Sequence, residues 1–377
     1  MTAEPAGLYV HLPYCRSRCG YCAFVVTTDE SSRGAYLEAL VREAQLVSSV
    51  AAGSRFDSLY LGGGTPSLVP ARDLASLLSE IKRLFAFEAD MEITLEANPE
   101  DVTDDAFAGW RDAGVNRVSL GVQSLEDAEL AAVGRRHDAA GARRAIERLS
   151  SRGISLSADL ILGLPEQTAA TFRRSVEAVA AAGVEHLSIY LLEADKSPAL
   201  EEDRRARPEA YLSDEEQADA WLEAGELLEA NGLGHYEISN WGREGRRARH
   251  NVKYWTRTPT LGLGISAHEL WGEHRRANVS AIPAYVADLA EGRRPLALDR
   301  PVGDAEAARE RIVLGLRLRE GVATAGLEAW IASDGDPLLP GDYAAWCDAG
   351  ILEKENDRVR FTERGFLVSN DVLCRFV

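Results

Sequence analysis

The chain has 377 residues, 60 of them acidic and 42 basic, giving a formal net charge of −18. Repulsion from phosphates at that charge excludes broad, non-specific nucleic-acid binding. Five cysteines, three of them crowded into Cys15–Cys22, do not make a secreted disulfide framework; clustered thiols of this kind bind metal in a reducing compartment. The stretch MTAEPAGLYVHLPYC has no basic n-region and no apolar run of signal-peptide length, and no apolar run approaches the roughly 18 residues that span a bilayer. The expectation is a cytoplasmic protein without a transmembrane segment.

Short apolar runs at Leu8–His11, Leu59–Leu61, Glu92–Glu96, Arg117–Gly121, Leu156–Ile161 and His186–Leu191 read as strands. Between them, apolar residues three and four apart predict helices over Ala35–Val50, Asp73–Phe85, Asp104–Ala113, Ala140–Ser151 and Phe172–Ala182. Strands alternating with helices predict parallel β/α units. A polar or glycine-rich feature marks the end of each strand. The cysteine loop follows the first and Gly62-Gly63-Gly64-Thr65-Pro66 the second; Glu96 and Asn98 end the third. Gln123 lies past the fourth, Asp159 in the fifth, and Glu193 after the sixth. This placement points to one site at the carboxyl rim of a barrel. The expected fold is α/β, a partial (β/α)6 barrel over residues 1–235.

From about Lys196 the pattern changes. A polar stretch, Glu201–Pro208, precedes a helix near Asp214–Asn231, and residues 236–295 read as a connecting region carrying His250-Asn251-Val252-Lys253-Tyr254-Trp255. Arg293-Arg294-Pro295 reads as a linker. Residues 296–377 predict a small α+β winged-helix-like domain, with helices at Ala305–Arg319, near Asp342–Ala349 and from Glu363, and a hairpin around Asn356-Asp357. Its charges are mixed and form no basic stripe, so it is not read as DNA-binding. Cys347 and Cys374 read as core singletons.

In Cys15-Arg16-Ser17-Arg18-Cys19-Gly20-Tyr21-Cys22 the thiols are separated by three and then two residues, so one tight loop points them inward. Thiolates are soft ligands suited to iron–sulfur clusters or zinc. On a four-iron, four-sulfur cubane, three cysteines leave one iron open. The alternative is a closed zinc site completed by His11, although zinc motifs pair two-cysteine knuckles across a longer gap that is absent here.

The CxxxCxxC loop after a first strand, with Tyr21 before its last cysteine, resembles the radical S-adenosylmethionine superfamily. Tyr9–Cys15, Gly62–Ser67, Gly121-Val122-Gln123-Ser124, Asp159-Leu160 with Gly163-Leu164-Pro165, and His250–Trp255 further resemble the oxygen-independent coproporphyrinogen oxidase family. The resemblance implies S-adenosylmethionine on the open iron, where reduction of the cluster yields a 5′-deoxyadenosyl radical; the protein supplies position and exclusion of solvent. It also implies cofactor contacts at Tyr9, Tyr21, Gly63, Gly64, Thr65, Glu96, Gln123, Arg135 and Asp159. The chemistry of these residue types suits such contacts, since glycines admit close approach, carboxylates accept from hydroxyls, and an arginine fork meets a carboxylate.

Two branches of that family differ in function. Oxidases abstract hydrogen from porphyrinogen propionates; the other branch resembles heme chaperones, which bind heme and pass it to an acceptor protein, membrane-associated acceptors included. Oxidases carry a further cysteine two positions past the third ligand and a long N-terminal extension. Here that position is Phe24 and the barrel begins near residue 8. Both departures favour the chaperone branch over an oxidative decarboxylase. By resemblance His250 is a heme ligand, with Tyr254 and Trp255 stacking on the porphyrin and Arg246, Arg247 and Arg249 meeting propionates. His268 is a second candidate, and a radical enzyme with an unrelated substrate is a third reading.

Overall fold

The computed structural model describes residues 4–334, 336 and 338–376. The barrel half runs β1 (Ala6–Leu12), α1 (Arg33–Ser48), β2 (Arg55–Gly63), α2 (Ala71–Leu84), β3 (Ala86–Ala97), α3 (Asp104–Ala113) and β4 (Arg117–Gln123). It continues with α4 (Asp127–Ala132), α5 (Ala139–Ser150), β5 (Ser155–Leu162), α6 (Ala169–Ala181) and β6 (His186–Leu191). Neighbouring strands from β1 to β6 pair in parallel, in sequence order.

Alternation along these strands sets the character of the interior. Leu8, Val10, Leu12, Leu59, Leu61, Ile93, Leu95, Val118, Leu120, Leu156, Leu160, Leu187 and Ile189 are buried in one continuous aliphatic core with the helices. The residues between them on the other face are polar: Tyr9, Ser58, Tyr60, Thr94, Glu96, Ser119, Asp159, Ser188 and Tyr190. Successive side chains point to opposite faces of a strand, so the aliphatic set holds the helices and the polar set lines the lumen. A barrel interior is ordinarily filled by branched aliphatics; this one is lined by polar side chains, some paired with each other, as Tyr60 is with Glu96 and Ser119 with Asp159.

After β6 come α7 (Pro198–Ala206), α8 (Asp214–Ala230), β7 (Gly234–Glu237), β8 (Asn240–Gly242), α9 (Arg249–Thr256) and β9 (Thr260–Leu263). Then follow β10 (His268–Trp271), β11 (His274–Asn278), α10 (Ile282–Ala290) and β12 (Leu296–Pro301). The region expected to be a connector instead extends the barrel sheet at both edges. β8 pairs with β6 and β9 with β1, giving twelve strands in the order β12-β11-β10-β9-β1-β2-β3-β4-β5-β6-β8-β7. Arg293-Arg294-Pro295 is no free linker either. Arg294 pairs with the buried Glu269 at 2.9 Å and the chain enters β12 at once.

The remaining chain forms α11 (Asp304–Gly315), β13 (Val322–Ala323), α12 (Thr324–Asp334), α13 (Leu339–Asp348), β14 (Leu352–Glu355), β15 (Arg358–Phe361), α14 (Glu363–Leu367) and α15 (Ser369–Leu373). A three-stranded antiparallel sheet, ordered β13-β15-β14, carries the wing. Its anchor on the barrel is Glu363, which meets His235 at 3.1 Å and Arg319 at 3.0 Å. Of the two cysteines expected in this domain's core, Cys347 is half-buried and packs against it, whereas Cys374 is exposed just past α15. Among the described residues no helix is long and apolar enough to cross a membrane.

Candidate functional site at the carboxyl rim

Backbone pairing fixes the cysteine loop. Cys15 donates its amide to Thr27 O at 2.9 Å, and Thr27 donates to Pro13 O at 2.8 Å. Further along, Gly20 donates to Val133 O at 3.0 Å. Beneath lies a small apolar cluster of Val133, Ile161 and Leu164, with Tyr21 and Leu192 packed against it. Cys15 is buried while Cys19 and Cys22 are partly exposed, and all three thiols are free. Burial pushes the Cys15 and Cys22 thiols up from their ordinary value, so ligation at neutral pH releases protons.

The glycines after β2 are required by close approach of this loop. A Cβ on Gly64 would lie 2.6 Å from the Pro13 carbonyl carbon. Gly63 has φ 112° and faces the His11 ring at 2.5 Å from the same hypothetical atom. Only glycine tolerates both the conformation and the contact.

A chain of hydrogen bonds links the rim. Thr65 Oγ1 donates to Cys15 Sγ at 3.4 Å and accepts from Asn98 Nδ2 at 3.3 Å. Arg135 Nη2 donates to Asn98 Oδ1 and to Gly121 O, both at 2.7 Å. Its Nη1 approaches Cys19 Sγ at 3.6 Å and Tyr21 Oη at 3.3 Å. Arg135 Nε is buried without a partner. Deeper in, Glu96 accepts from Tyr60 Oη at 2.8 Å and from the Gly63 amide at 3.0 Å. Burial, then these donors and Asp159, leave its pKa raised to about 7. Asp159, also raised by burial, accepts from Ser119 Oγ at 3.0 Å.

Gln123 sits at φ 65° where the β4–β5 register shifts. Such a conformation is uncommon for a residue with a side chain. Its amide makes no hydrogen bond to the described residues, and it lies beside Gly121, whose hypothetical Cβ would be 2.9 Å from Gln123 Nε2. The rim therefore offers an unengaged amide next to a bare strand end.

The structure thus gathers Cys15, Cys19, Cys22, Tyr21, Gly63, Gly64, Thr65, Glu96, Gln123 and Arg135 at one rim, with Asp159 and Tyr9 lower in the lumen. Asn98 and Tyr60 join them; two-residue spacing from Gly62 along β2 places Tyr60 on the lumen face. The thiols and the donors aimed at them fit an iron–sulfur cluster, whose sulfurs take hydrogen bonds that tune it. The zinc alternative fares worse. His11 is engaged at both nitrogens, Nδ1 with Tyr9 Oη at 3.1 Å and Nε2 with Val25 O at 3.0 Å.

His250 lies elsewhere. It is 1% exposed at the amino-terminal end of the barrel. There Nδ1 meets Ser58 Oγ at 3.1 Å and Nε2 meets Tyr254 Oη at 2.9 Å. Its ring stacks on Tyr60 at 5.3 Å. Burial, with the Lys253 charge, holds it neutral at a pKa of about 3. The expectation of a heme ligand meets a ring with no free nitrogen; ligation would require Tyr254 to leave. The three expected propionate arginines are also taken: Arg246 by Glu185 at 3.3 Å, Arg247 by Glu320 at 2.5 Å and Arg249 by Asp90 at 3.0 Å. His268 lines a separate groove of about 490 Å³ between α9, α11 and the added strands.

Residues 9–179 match the Radical SAM superfamily, and residues 304–368 match the HemN C-terminal domain. Fold and site together define a radical S-adenosylmethionine protein, a class whose domain implies a four-iron, four-sulfur cluster and S-adenosylmethionine. Over 378 residues the chain is 34% identical to "Heme chaperone HemW" of Mycobacterium tuberculosis, covering 99% of this chain and 95% of that protein. It is 30% identical to the protein of that name from Bacillus subtilis, covering 98% of both. The chain belongs to the HemW family. In fold it also matches coproporphyrinogen III oxidase (HemN) from Escherichia coli, with TM-score 0.86 and 22% identity over 99% of this chain and 90% of that one.

Proposed function

We propose that this protein binds heme and delivers it to an acceptor protein, with a cluster on Cys15, Cys19 and Cys22 and exchangeable S-adenosylmethionine at the adjoining rim. The observation that carries the reading is end-to-end similarity to proteins named as heme chaperones, at 34% identity over 99% of the chain. Phe24 supports it. Where a further cysteine is expected in an oxidase, the loop presents an apolar ring 68% exposed.

Within the rim, each residue has a role that follows from its chemistry. The thiolates hold the cluster, and Thr65 and Arg135 stabilise charge on the ligand sulfurs. Gln123 and Glu96 face the open side, where an amide meets a carboxylate and a carboxylate accepts from hydroxyl or ammonium groups. A second reading, radical chemistry on a porphyrinogen, is favoured by the polar lumen, which has the character of a reaction chamber. Heme titration of cluster-reconstituted protein tests the proposal. Saturable, stoichiometric binding followed by transfer to apomyoglobin is expected; absence of saturable binding at micromolar protein contradicts it.

A further inference from the structure

Asn98 stands between two of the three rim thiols, Cys15 and Cys19. The alternation of β3 continues into it and places it on the face of Thr94 and Glu96. Pro99 behind it holds its backbone extended, at φ −96° and ψ 150°. From there its carboxamide reaches two side chains at once. Oδ1 accepts from Arg135 Nη2 at 2.7 Å, and Nδ2 donates to Thr65 Oγ1 at 3.3 Å. Each partner in turn meets a sulfur: Arg135 Nη1 approaches Cys19 Sγ at 3.6 Å, and Thr65 Oγ1 donates to Cys15 Sγ at 3.4 Å. A Cβ on Gly121 would lie 3.3 Å from Arg135 Nη2 and 3.4 Å from Asn98 Oδ1, so the bare end of β4 leaves this junction its room.

Chemistry fixes the direction of every link. A guanidinium has donors only, and a metal-bound thiolate has no proton to give. The Asn98 atom facing Arg135 is therefore the oxygen, which turns the amide nitrogen onto Thr65. Thr65 Oγ1 accepts that N–H, and its single proton is left for Cys15 Sγ. A hydroxyl on its own rotates freely; the N–H it accepts here sets which way its proton points. Hydrogen bonds in series polarise one another. The Arg135 charge thus acts on Cys19 directly and on Cys15 through two neutral links.

We infer that Asn98 is a positioning residue for the cluster: it directs the Thr65 proton onto Cys15 and couples that hydrogen bond to Arg135. Donors to ligand sulfurs favour the reduced cluster, because they stabilise the charge that the added electron brings. The inference rests on the cluster reading and adds to it a residue that works through Thr65 and Arg135.

The test is the midpoint potential of the cluster, titrated with redox mediators in full-length reconstituted protein without S-adenosylmethionine and followed by the paramagnetic signal of the reduced form. Thr65→Val removes the donor to Cys15 and is expected to make reduction roughly tenfold less favourable, about 59 mV lower for one electron. Asn98→Leu, which adds no charge, is expected to lower the potential by roughly threefold or more in the same equilibrium. The double variant is expected to fall short of the sum, since Asn98 acts through Thr65. A purely structural role would lower iron loading or melting temperature at the parent's potential. Asn98→Leu with four irons and a potential unchanged or raised overturns the inference, and so does a double variant that shifts by the full sum. Should Asn98→Leu not load, Asn98→Ala is read against the same outcomes; failure of both to load assigns Asn98 to the scaffold and overturns the inference too. A parent that takes up no cluster overturns the cluster reading itself, and this inference with it.

Discussion

Arg135 Nη1 lies 3.6 Å from Cys19 Sγ while Nη2 of the same guanidinium donates at 2.7 Å to Gly121 O, so one side chain ties the Cys19 thiol to the end of β4. Arginine suits this role because its fork is rigid and permanently charged. Arg135→Ala is expected to weaken S-adenosylmethionine binding by roughly tenfold, about 1.4 kcal/mol, and Arg135→Lys to restore little of it. Perturbation of the reduced cluster's paramagnetic resonance by S-adenosylmethionine measures the affinity. Parent-like affinity in both variants contradicts the assignment.

The cysteines divide sharply. Replacing Cys15, Cys19 or Cys22 singly by alanine is expected to abolish stable four-iron loading, read as iron and sulfide per chain after anaerobic reconstitution. Cys347→Ala and Cys374→Ala are expected to load fully. Both lie in the C-terminal domain, and Cys374 donates to the Asp371 carbonyl at 3.0 Å. Loss of iron in either of these would overturn the three-cysteine account.

Glu96 gives a pH dependence of defined sign. Its pKa is raised to about 7 by burial, so it is neutral below that pH and a carboxylate above it. Only the carboxylate accepts two hydrogen bonds from a ribose or an ammonium group without a competing proton. Affinity for S-adenosylmethionine is therefore expected to fall as pH drops from 8 to 6, and Glu96→Gln to bind weakly with a flat profile. A parent profile flat across that range removes Glu96 from the contact set.

Much of this site is legible in the amino-acid order alone. The strand-end placement of Cys15, Gly63, Glu96, Gln123 and Asp159 reads directly from short apolar runs, because in a parallel barrel chain order and spatial order coincide. What the order does not reveal depends on contacts between distant segments. β9 pairs with β1 across more than two hundred residues, and no local pattern in Thr260–Leu263 announces its partner. The same limit puts Arg294 in a linker, since its partner Glu269 becomes visible only once β10 to β12 fold together. For His250 the motif gives residue identity but not its surroundings, in which one face of α9 seals the ring against Ser58 and Tyr60.

That burial leads to an expectation for His250→Ala. Losing a buried ring with two hydrogen bonds and a stacked partner is expected to destabilise the fold by about 2–4 kcal/mol. A lowered melting temperature with the heme absorption spectrum unchanged, measured well below melting, is the predicted pair of results. Loss of the axial-ligand signature in a fully folded variant would return His250 to the iron.

The most direct test of the central claim is anaerobic incubation of the reconstituted protein with reductant, S-adenosylmethionine and coproporphyrinogen III, quantifying porphyrin products beside a working oxidase. A heme carrier is predicted to yield no decarboxylated product while its cluster stays intact. Decarboxylation over many turnovers would contradict the account and make the polar lumen an oxidase active site.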